Sequence, residues 1–237
     1  MSPSDTIIIT GAGRGLGRAL ALELAGPGRR LGLLARTAAE LEETAAEVRA
    51  RGAFVHTIQA DVGRLERAPR LALELVDRLG PIDVLIHNAS VLGPVPLALL
   101  ADTAVKDFVQ AFEVNVLGPF ALTRALLGSM LLRQAGRIVT ISSDAAVQAY
   151  PSWGAYGASK AALDHLSRAL AAELEGSGVS VLCVDPGEMD TAMHLAAMPE
   201  ADRAALARPA WVAARIARLL DSGAVGRHQI LPEQEAR

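Results

Sequence analysis

Cysteine and basic runs are nearly absent from this 237-residue chain. Its one cysteine, Cys183, lies in the apolar run 181–184, which predicts a buried strand thiol and excludes a disulfide framework. Lys and Arg number 23 against 26 for Asp and Glu, and no basic block or basic run interleaved with aromatic residues occurs. This balance argues against nucleic acid as a partner.

Segments typical of export, membrane insertion and metal binding are also missing. Residues 1–5 show no charged region followed by a long apolar stretch, and no later segment approaches the roughly 20 apolar residues of a membrane span. We therefore expect a cytoplasmic protein without a membrane partner. The five histidines form no short ligand motif and Cys183 lies apart from them, so no metal site is predicted.

Apolar residues make up 51% of the chain, which is ample material for a core, and a length of 237 residues suits one α/β domain over 1–237. Short β-branched or aliphatic runs alternate with stretches of helical period, such as 38–51 and 155–175. This pattern predicts βαβ units around a parallel sheet with helices on both faces. The predicted strands are 6–10, 30–35, 54–59, 82–87, 137–141 and 179–184, with a weak seventh at 228–231.

The least regular stretch, 188–209, follows a Pro186-Gly187 turn. It predicts a mobile segment on the substrate side of a pocket. Residues 91–100 together with Met189, Met193 and Met198 indicate an apolar, adaptable pocket wall, although methionines at this spacing are equally consistent with core packing.

A glycine-rich turn follows the first predicted strand, in the sequence TGAGRGLG from Thr10 to Gly17. Glycines let the backbone approach a pyrophosphate closely, and the N-terminus of the following helix favours anionic oxygens. The spacing is neither G-x-G-x-x-G nor a P-loop, so taken alone the turn is equally consistent with a connection that binds no ligand.

The spacing T-G-x-x-x-G-x-G, however, resembles the cofactor motif of the short-chain dehydrogenase/reductase family. The resemblance extends from Thr10 to about Leu220 with the family's motifs in order, and it implies a Rossmann-like, doubly wound parallel sheet. His87 and Ser90 depart from the family's N-N-A-G motif. The cofactor-binding residues it implies are Gly11, Arg14, Gly15, Leu16, Gly17, Arg36, Asp61, Val62, Asn88, Ala89, Tyr156, Lys160, Pro186, Gly187 and Thr191.

Four residues match the family's active site, namely Asn115, Ser143, Tyr156 and Lys160, the last two in a Y-x-x-x-K motif. Residues four apart on a helix share a face, so Tyr156 and Lys160 can point into one pocket. The resemblance implies that Tyr156 is the acid or base, Ser143 binds the substrate oxygen and Asn115 holds a water. Lys160 binds the ribose, and its ammonium together with an oxidised nicotinamide is expected to lower the pKa of Tyr156.

The second predicted strand ends in Ala35-Arg36, where an NAD-binding protein would carry an acidic residue. Arg36 offers a planar fork suited to a phosphate, and Arg14 is a second cation before Gly15. Both arginines favour NADP, although either alone is consistent with a solvated surface charge.

The sequence thus predicts an NADP(H)-dependent oxidoreductase acting on a small carbonyl or alcohol compound. The resemblance also implies a homodimer or homotetramer that pairs the helices following Val114 and Ala155. Two alternatives are a non-catalytic protein of the same fold that senses NADP(H), and a methyltransferase. The intact Ser143, Tyr156 and Lys160 argue against the first, and a methyltransferase would not explain Y-x-x-x-K.

Overall fold

The first strand is the centre around which the sheet is built. In the computed structural model, which describes residues 1–2 and 5–230, seven parallel strands lie in the order β3-β2-β1-β4-β5-β6-β7. Helices cover both faces, giving a single Rossmann-like domain as predicted. The strands are β1 (Thr6–Thr10), β2 (Arg30–Ala35), β3 (Phe54–Gln59), β4 (Val84–His87), β5 (Gly136–Ile141), β6 (Val179–Asp185) and β7 (Gly226–Gln229).

Eight α-helices connect and cover these strands in the described part of the chain. A π-helical turn, Glu113–Leu117, joins the fourth helix to the fifth without a break. The helices are α1 (Gly15–Glu23), α2 (Ala38–Ala50), α3 (Ala68–Leu79), α4 (Val105–Phe112), α5 (Gly118–Arg133), α6 (Gly154–Glu173), α7 (Ala192–Ala197) and α8 (Pro209–Asp221).

Alternate side chains of β1 pack into the two layers of the core. Ile7 and Ile9 pack with residues of α1, α2 and α8, whereas Ile8 packs with residues of α3 and α5. All five residues of β1 are buried, as expected for a central strand of a parallel sheet. Because β2 and β4 flank β1 on opposite sides, the strand order reverses there and leaves a crevice at the carboxyl ends of β1 and β4.

Several predicted elements differ from the structure. Strand β4 begins at Val84 rather than residue 82, β5 begins one residue earlier than predicted, and β6 ends one residue later. The seventh strand lies two residues earlier than predicted, and Leu231, the last residue of the prediction, is outside the described residues. Within 188–209 the structure has helix α7 and a bridge between Met189 and Ala207. The mobility of that segment stays a prediction.

The expectation that no segment resembles a membrane span is wrong by length and composition. The continuous helix Val105–Arg133 has 29 residues and a window with mean hydropathy of 1.3, and half of that window is buried inside the protein. Core helices of other proteins meet the same criterion, so this helix is weak evidence for a membrane partner.

His87, at the end of β4, is an ionisable side chain inside the core. It is 3% exposed, its Nε2 lies 2.8 Å from Thr123 Oγ1, and burial lowers its pKa to about 3. The ordinary histidine pKa is about 6.5. Between these two pH values the unfolded chain binds a proton that the folded protein does not, so folding stability falls as the pH falls.

We predict that His87→Asn flattens this pH dependence. From about pH 7.5 to about pH 5, His87 should remove about 2 kcal/mol from the free energy of unfolding, at about 1.4 kcal/mol per pH unit below its ordinary pKa. Urea denaturation at both pH values measures this loss. A matched control is His165→Asn on the exposed face of α6, which should keep the wild-type pH dependence. Equal losses in wild type and His87→Asn would contradict the prediction.

Candidate active site

A cavity of about 960 Å³ opens at the carboxyl edge of the sheet. Loops that follow β1 to β6 all contribute to its lining. Each predicted site residue lines this cavity except Gly17 and Asn115. Its volume lies at the upper end of the range for ligand sites in proteins.

The glycine turn needs its glycines for packing as well as for an open backbone. A Cβ on Gly11, whose φ is +69°, would lie 2.9 Å from Ala89 Cα, and a Cβ on Gly17 would overlap the carbonyl oxygen of Gly11. Gly17 therefore acts behind the cavity, by letting α1 approach the turn. Gly15, with φ +55°, faces the side chain of Thr191 across the cavity.

The N-terminus of α1 is free to bind an anion. Arg14 is its N-cap residue and makes no side-chain capping bond, and no acidic residue lies in the first turn. Uncapped N–H groups beside glycines are the arrangement that binds phosphate at helix N-termini. The residues present therefore fit the pyrophosphate of a dinucleotide.

Hydrogen bonds of Asn88 connect the end of β4 to this turn. Its Nδ2 donates to the carbonyl oxygens of Thr10 at 2.9 Å and Gly11 at 3.2 Å. In return, Thr10 Oγ1 accepts from the N–H groups of Asn88 and Ala89 at 3.0 and 3.1 Å. In the turn after β3, Asp61 Oδ1 accepts from the N–H of Gly63 at 2.9 Å, which fixes that turn.

Basic side chains surround the end of the cavity near β2. Arg14 and Arg36 are both exposed there. The guanidinium of Arg36 has no partner among residues 1–2 and 5–230, and only its carbonyl is engaged, by Gln59. Arg14 lies 3.8 Å from Glu40, which also lines the cavity, so a carboxylate partly offsets this second cation.

Tyr156 and Lys160 share the buried face of α6 and both line the cavity. Lys160 is 2% exposed, its Nζ donates to the carbonyl oxygen of Ile141 at 2.7 Å, and it lies 5.5 Å from the centroid of the Tyr156 ring. Burial lowers the pKa of Lys160 to about 8, against the raising effect of Asp164.

The expected lowering of the Tyr156 pKa does not occur in the protein alone. Burial raises the pKa of Tyr156 to about 12, although interactions with the Ser143 and Ser90 hydroxyls act in the opposite direction. Asp144 and Asp185 raise it further. Desolvation of the phenolate is therefore the largest influence on this pKa.

Ser143 stands at the start of a short 3₁₀ turn on the cavity wall. Its Oγ accepts from the N–H of Ala145 at 3.2 Å and donates to Asp144 Oδ1 at 2.9 Å. Asp144 Oδ2 in turn accepts from Tyr150 at 2.8 Å. Ser142 also lines the cavity, but it is buried and its hydroxyl donates to Asp164. Ser143 is the more accessible of the two serines.

Asn115 is a positioning residue in this structure. It lies in the π-helical turn and is 1% exposed. Its Nδ2 donates to the Val91 carbonyl at 2.9 Å and to Ser159 Oγ at 2.8 Å, and its Oδ1 accepts from the N–H of Val91 at 2.8 Å and from Ser90 Oγ at 3.0 Å. These four hydrogen bonds engage both the amide nitrogen and the amide oxygen of Asn115. Its role in holding a water stays a prediction.

Sequence reasoning missed a buried charged cluster beneath Lys160. Asp164 accepts from Arg227 Nε at 2.9 Å and from Cys183 Sγ at 3.2 Å, while Arg227 also reaches Asp185 and the Ser143 carbonyl at 3.4 Å. One signal could have identified Asp164, because it lies four residues after Lys160 on the same helix face. Arg227, far along the chain, had no comparable signal.

Metal-ligand side chains do not converge here. Within the described part of the chain, no group of three or more His, Cys, Asp and Glu residues could hold a metal ion.

Comparison with known proteins decides the family. The model of the short chain dehydrogenase family matches residues 5–201. The chain belongs to this family. It is 37% identical over 194 residues to a sepiapterin reductase from Chlorobaculum tepidum, which covers 79% of this chain and 78% of that protein. It is 34% identical over 189 residues to a short chain dehydrogenase from Pseudocercospora fijiensis, where the match covers 78% of this chain but only 60% of the relative's length.

Solved structures of family members agree with the fold. An NAD+-bound xylitol dehydrogenase has a TM-score of 0.85 at 27% identity, with 96% of this chain and 97% of that chain covered. A metagenomic short-chain oxidoreductase in complex with NADP has a TM-score of 0.84 at 26% identity, with 99% and 100% covered. Both nicotinamide dinucleotides therefore occur among the structural neighbours of this short-chain dehydrogenase.

Proposed function

We propose that this protein is an NADP(H)-dependent oxidoreductase that transfers hydride between the nicotinamide and a carbonyl or secondary alcohol compound. One observation carries the proposal. Tyr156, Ser143 and Lys160 line a single cavity together with an uncapped helix N-terminus and its glycine turn. A proton donor and a dinucleotide cradle thus share one site, as carbonyl reduction requires.

The roles of the residues follow from their surroundings and from the family resemblance. The nicotinamide, when bound, supplies or accepts the hydride. Tyr156 donates a proton to the substrate oxygen, and the Ser143 hydroxyl binds the same oxygen. Lys160 binds the ribose hydroxyls. Pro186, Gly187 and Thr191 hold the carboxamide.

The charge state of Tyr156 favours the role of acid. Because burial raises its pKa to about 12, the phenol keeps its proton at neutral pH. A protonated phenol can donate to an oxygen that gains negative charge as a carbonyl is reduced. In the direction of alcohol oxidation the phenol has to lose this proton first.

NADP is the cofactor that the charges near β2 favour. Arg36 is exposed and its guanidinium has no partner in the described residues, and no acidic residue occupies the end of β2. Arg14 lies on the same side of the cavity. A planar guanidinium can bind a 2′-phosphate through two hydrogen bonds.

We predict that NADPH binds at least about ten times more tightly than NADH, a difference of about 1.4 kcal/mol. Arg36→Ala should narrow this ratio because it removes the unpaired guanidinium. Titration of each reduced cofactor by its fluorescence measures both affinities. The control is Arg70→Ala, an exposed arginine outside the cavity, which should keep the wild-type ratio. Equal affinities in the unmodified protein would defeat the proposal of NADP preference.

A second prediction separates proton transfer from cofactor binding. Tyr156→Phe deletes only a hydroxyl, so NADPH affinity should survive while turnover falls by at least the roughly 10²–10⁴-fold that acid–base catalysis supplies. Ser143→Ala should mainly reduce turnover, because it removes a hydrogen bond to the substrate oxygen. Lys160→Ala should weaken NADPH binding and slow turnover together. Fluorescence titration and NADPH oxidation are measured for all three variants. Near-normal turnover by Tyr156→Phe would overturn the mechanism.

We also propose a cytoplasmic homodimer or homotetramer assembled through α4, α5 and α6. Apolar side chains lie exposed along the helix that runs through α4 and α5, which supports a second copy of this chain as their partner. They are Val105, Val109, Leu117 and Phe120.

We predict that light scattering at micromolar concentration gives a mass of at least about twice the 24.8 kDa of one chain. A mass of one chain would exclude this assembly.

A further inference from the structure

A third apolar cluster surrounds Tyr156, separate from the two cores that flank the sheet. Leu92, Ala145 and Tyr156 form its buried part, and Leu97, Trp153, Met193 and Ala197 pack against it. Five of these seven residues also line the cavity. Of the expected apolar wall, Val91, Leu92, Met189, Met193 and Met198 line the cavity. Leu97 packs against the cluster without lining the cavity.

The rings of Trp153 and Tyr156 give this wall a defined shape. Their centroids lie 5.7 Å apart with an interplanar angle of 68°, an edge-to-face arrangement. Two rings at this angle form a corner, and a flat ring can lie against the face of one and the edge of the other. Met193 adds a thioether, which contacts aromatic rings favourably and adapts to their shape.

Basic side chains are most numerous at the end of the cavity near β2, where Glu23, Glu40 and Asp61 also line it. Apart from Lys160 and His194, the basic side chains lining the cavity are Arg14, Arg18, Arg36 and Arg51 from the segment of β1 to α2, and Arg208 before α8. Arg208 follows Ala207, whose bridge to Met189 places it beside the segment of Glu188 and Asp190.

The wall around Tyr156 carries carboxylates. Asp144, Glu188 and Asp190 line the cavity on this side. Asp190 is paired with both Nε and Nη2 of Arg203, at 3.0 and 3.1 Å. Asp144 accepts hydrogen bonds but faces no cation, and Glu188 has no side-chain partner among the described residues. A negative ligand placed here would meet the carboxylates of Asp144 and Glu188, which form no ion pair among the described residues, with the ammonium of Lys160 on the same wall.

We propose that the substrate side of this cavity takes a carbonyl compound with a flat, uncharged, apolar body, namely an aryl aldehyde or aryl ketone, and rejects carboxylate-bearing analogues. The inference rests on the proposed oxidoreductase function. The angled rings of Trp153 and Tyr156 and the thioether of Met193 favour the flat body. The carboxylates of Asp144 and Glu188 disfavour an anion.

The test compares 4-carboxybenzaldehyde with its methyl ester, two aldehydes that differ mainly in one negative charge. We expect kcat/KM with NADPH to be at least about tenfold higher for the ester, since unneutralised like charge costs on the order of 1.4 kcal/mol or more. Equal values, or a preference for the carboxylate, would overturn the inference while leaving the oxidoreductase function intact.

A charge-reversal variant checks that the cavity carboxylates cause the discrimination. Glu188→Lys should lower the ester-to-acid ratio of kcat/KM at least about threefold, because it replaces a negative wall charge by a positive one. The matched control is Glu175→Lys, which makes the same change at an exposed position near the far end of α6, outside the cavity. It should keep the wild-type ratio. A change of the same size in the control would show that net charge, and not the cavity wall, sets the preference.

A binding measurement keeps the inference testable if no turnover is found. The chain has two tryptophans, and Trp211 lies under Arg215 at 3.3 Å on α8, so Trp211→Phe leaves Trp153 as the only reporter. Methyl 4-formylbenzoate should quench Trp153 fluorescence at concentrations at least about tenfold lower than 4-carboxybenzaldehyde. This preference without turnover would support the apolar, anion-rejecting pocket and overturn the inference that aryl aldehydes are its substrates. Equal quenching by both compounds would overturn the inference.

Discussion

The buried ammonium of Lys160 is the constraint on which the carboxyl edge of the sheet depends. Its Nζ donates to the Ile141 carbonyl inside the protein, where an uncompensated charge would be very costly. Asp164 and Asp185 favour the charged form of this ammonium. Two buried carboxylates beside one ammonium leave an excess of negative charge, and Arg227 compensates it by reaching both. The two aspartates thus stabilise the charge of Lys160, and Arg227 stabilises the charges of the two aspartates.

This requirement makes the last strand part of the site. Strand β7 is short, polar and mostly exposed, and its apolar contribution to the core is small. Yet Arg227 extends from it to Asp164 on α6, to Asp185 at the end of β6 and to the carbonyl of Ser143. The position of the serine that faces the cavity is therefore coupled to an edge strand. Because Asp164 and Asp185 are buried whereas Arg227 is 31% exposed, loss of Arg227 would leave two buried carboxylates without their arginine partner.

Much of the fold and the site followed from the sequence because local patterns encode it. Strands β1, β2 and β3 have the predicted bounds, because each is a continuous run of strand-forming residues with turn residues on both sides. The Y-x-x-x-K spacing likewise sets Tyr156 and Lys160 on one helix face. The Asp164–Arg227 pair could not be predicted in this way, because 63 residues separate the partners and only the parallel packing of β7 on β6 brings them together.

The titration of Tyr156 was beyond sequence reasoning for a related reason. A motif shows that an ammonium lies near a phenol, but it does not show how much water either group retains. In the structure, burial acts on the two groups in opposite directions, raising the pKa of Tyr156 to about 12 and lowering that of Lys160 to about 8. Desolvation disfavours whichever form is charged, the phenolate in one case and the ammonium in the other.

The protein alone therefore holds Tyr156 as a neutral phenol at neutral pH, next to an ammonium whose charge depends on the buried carboxylates. A neutral phenol is the state needed to protonate a carbonyl oxygen, so this charge state supports the proposed role of Tyr156 as an acid. Phenolate formation needs further positive charge near the ring, and the chain places Asp144 and Asp185 where they oppose it. Asp185, which favours the charged form of Lys160, also raises the pKa of Tyr156 and so favours its neutral phenol.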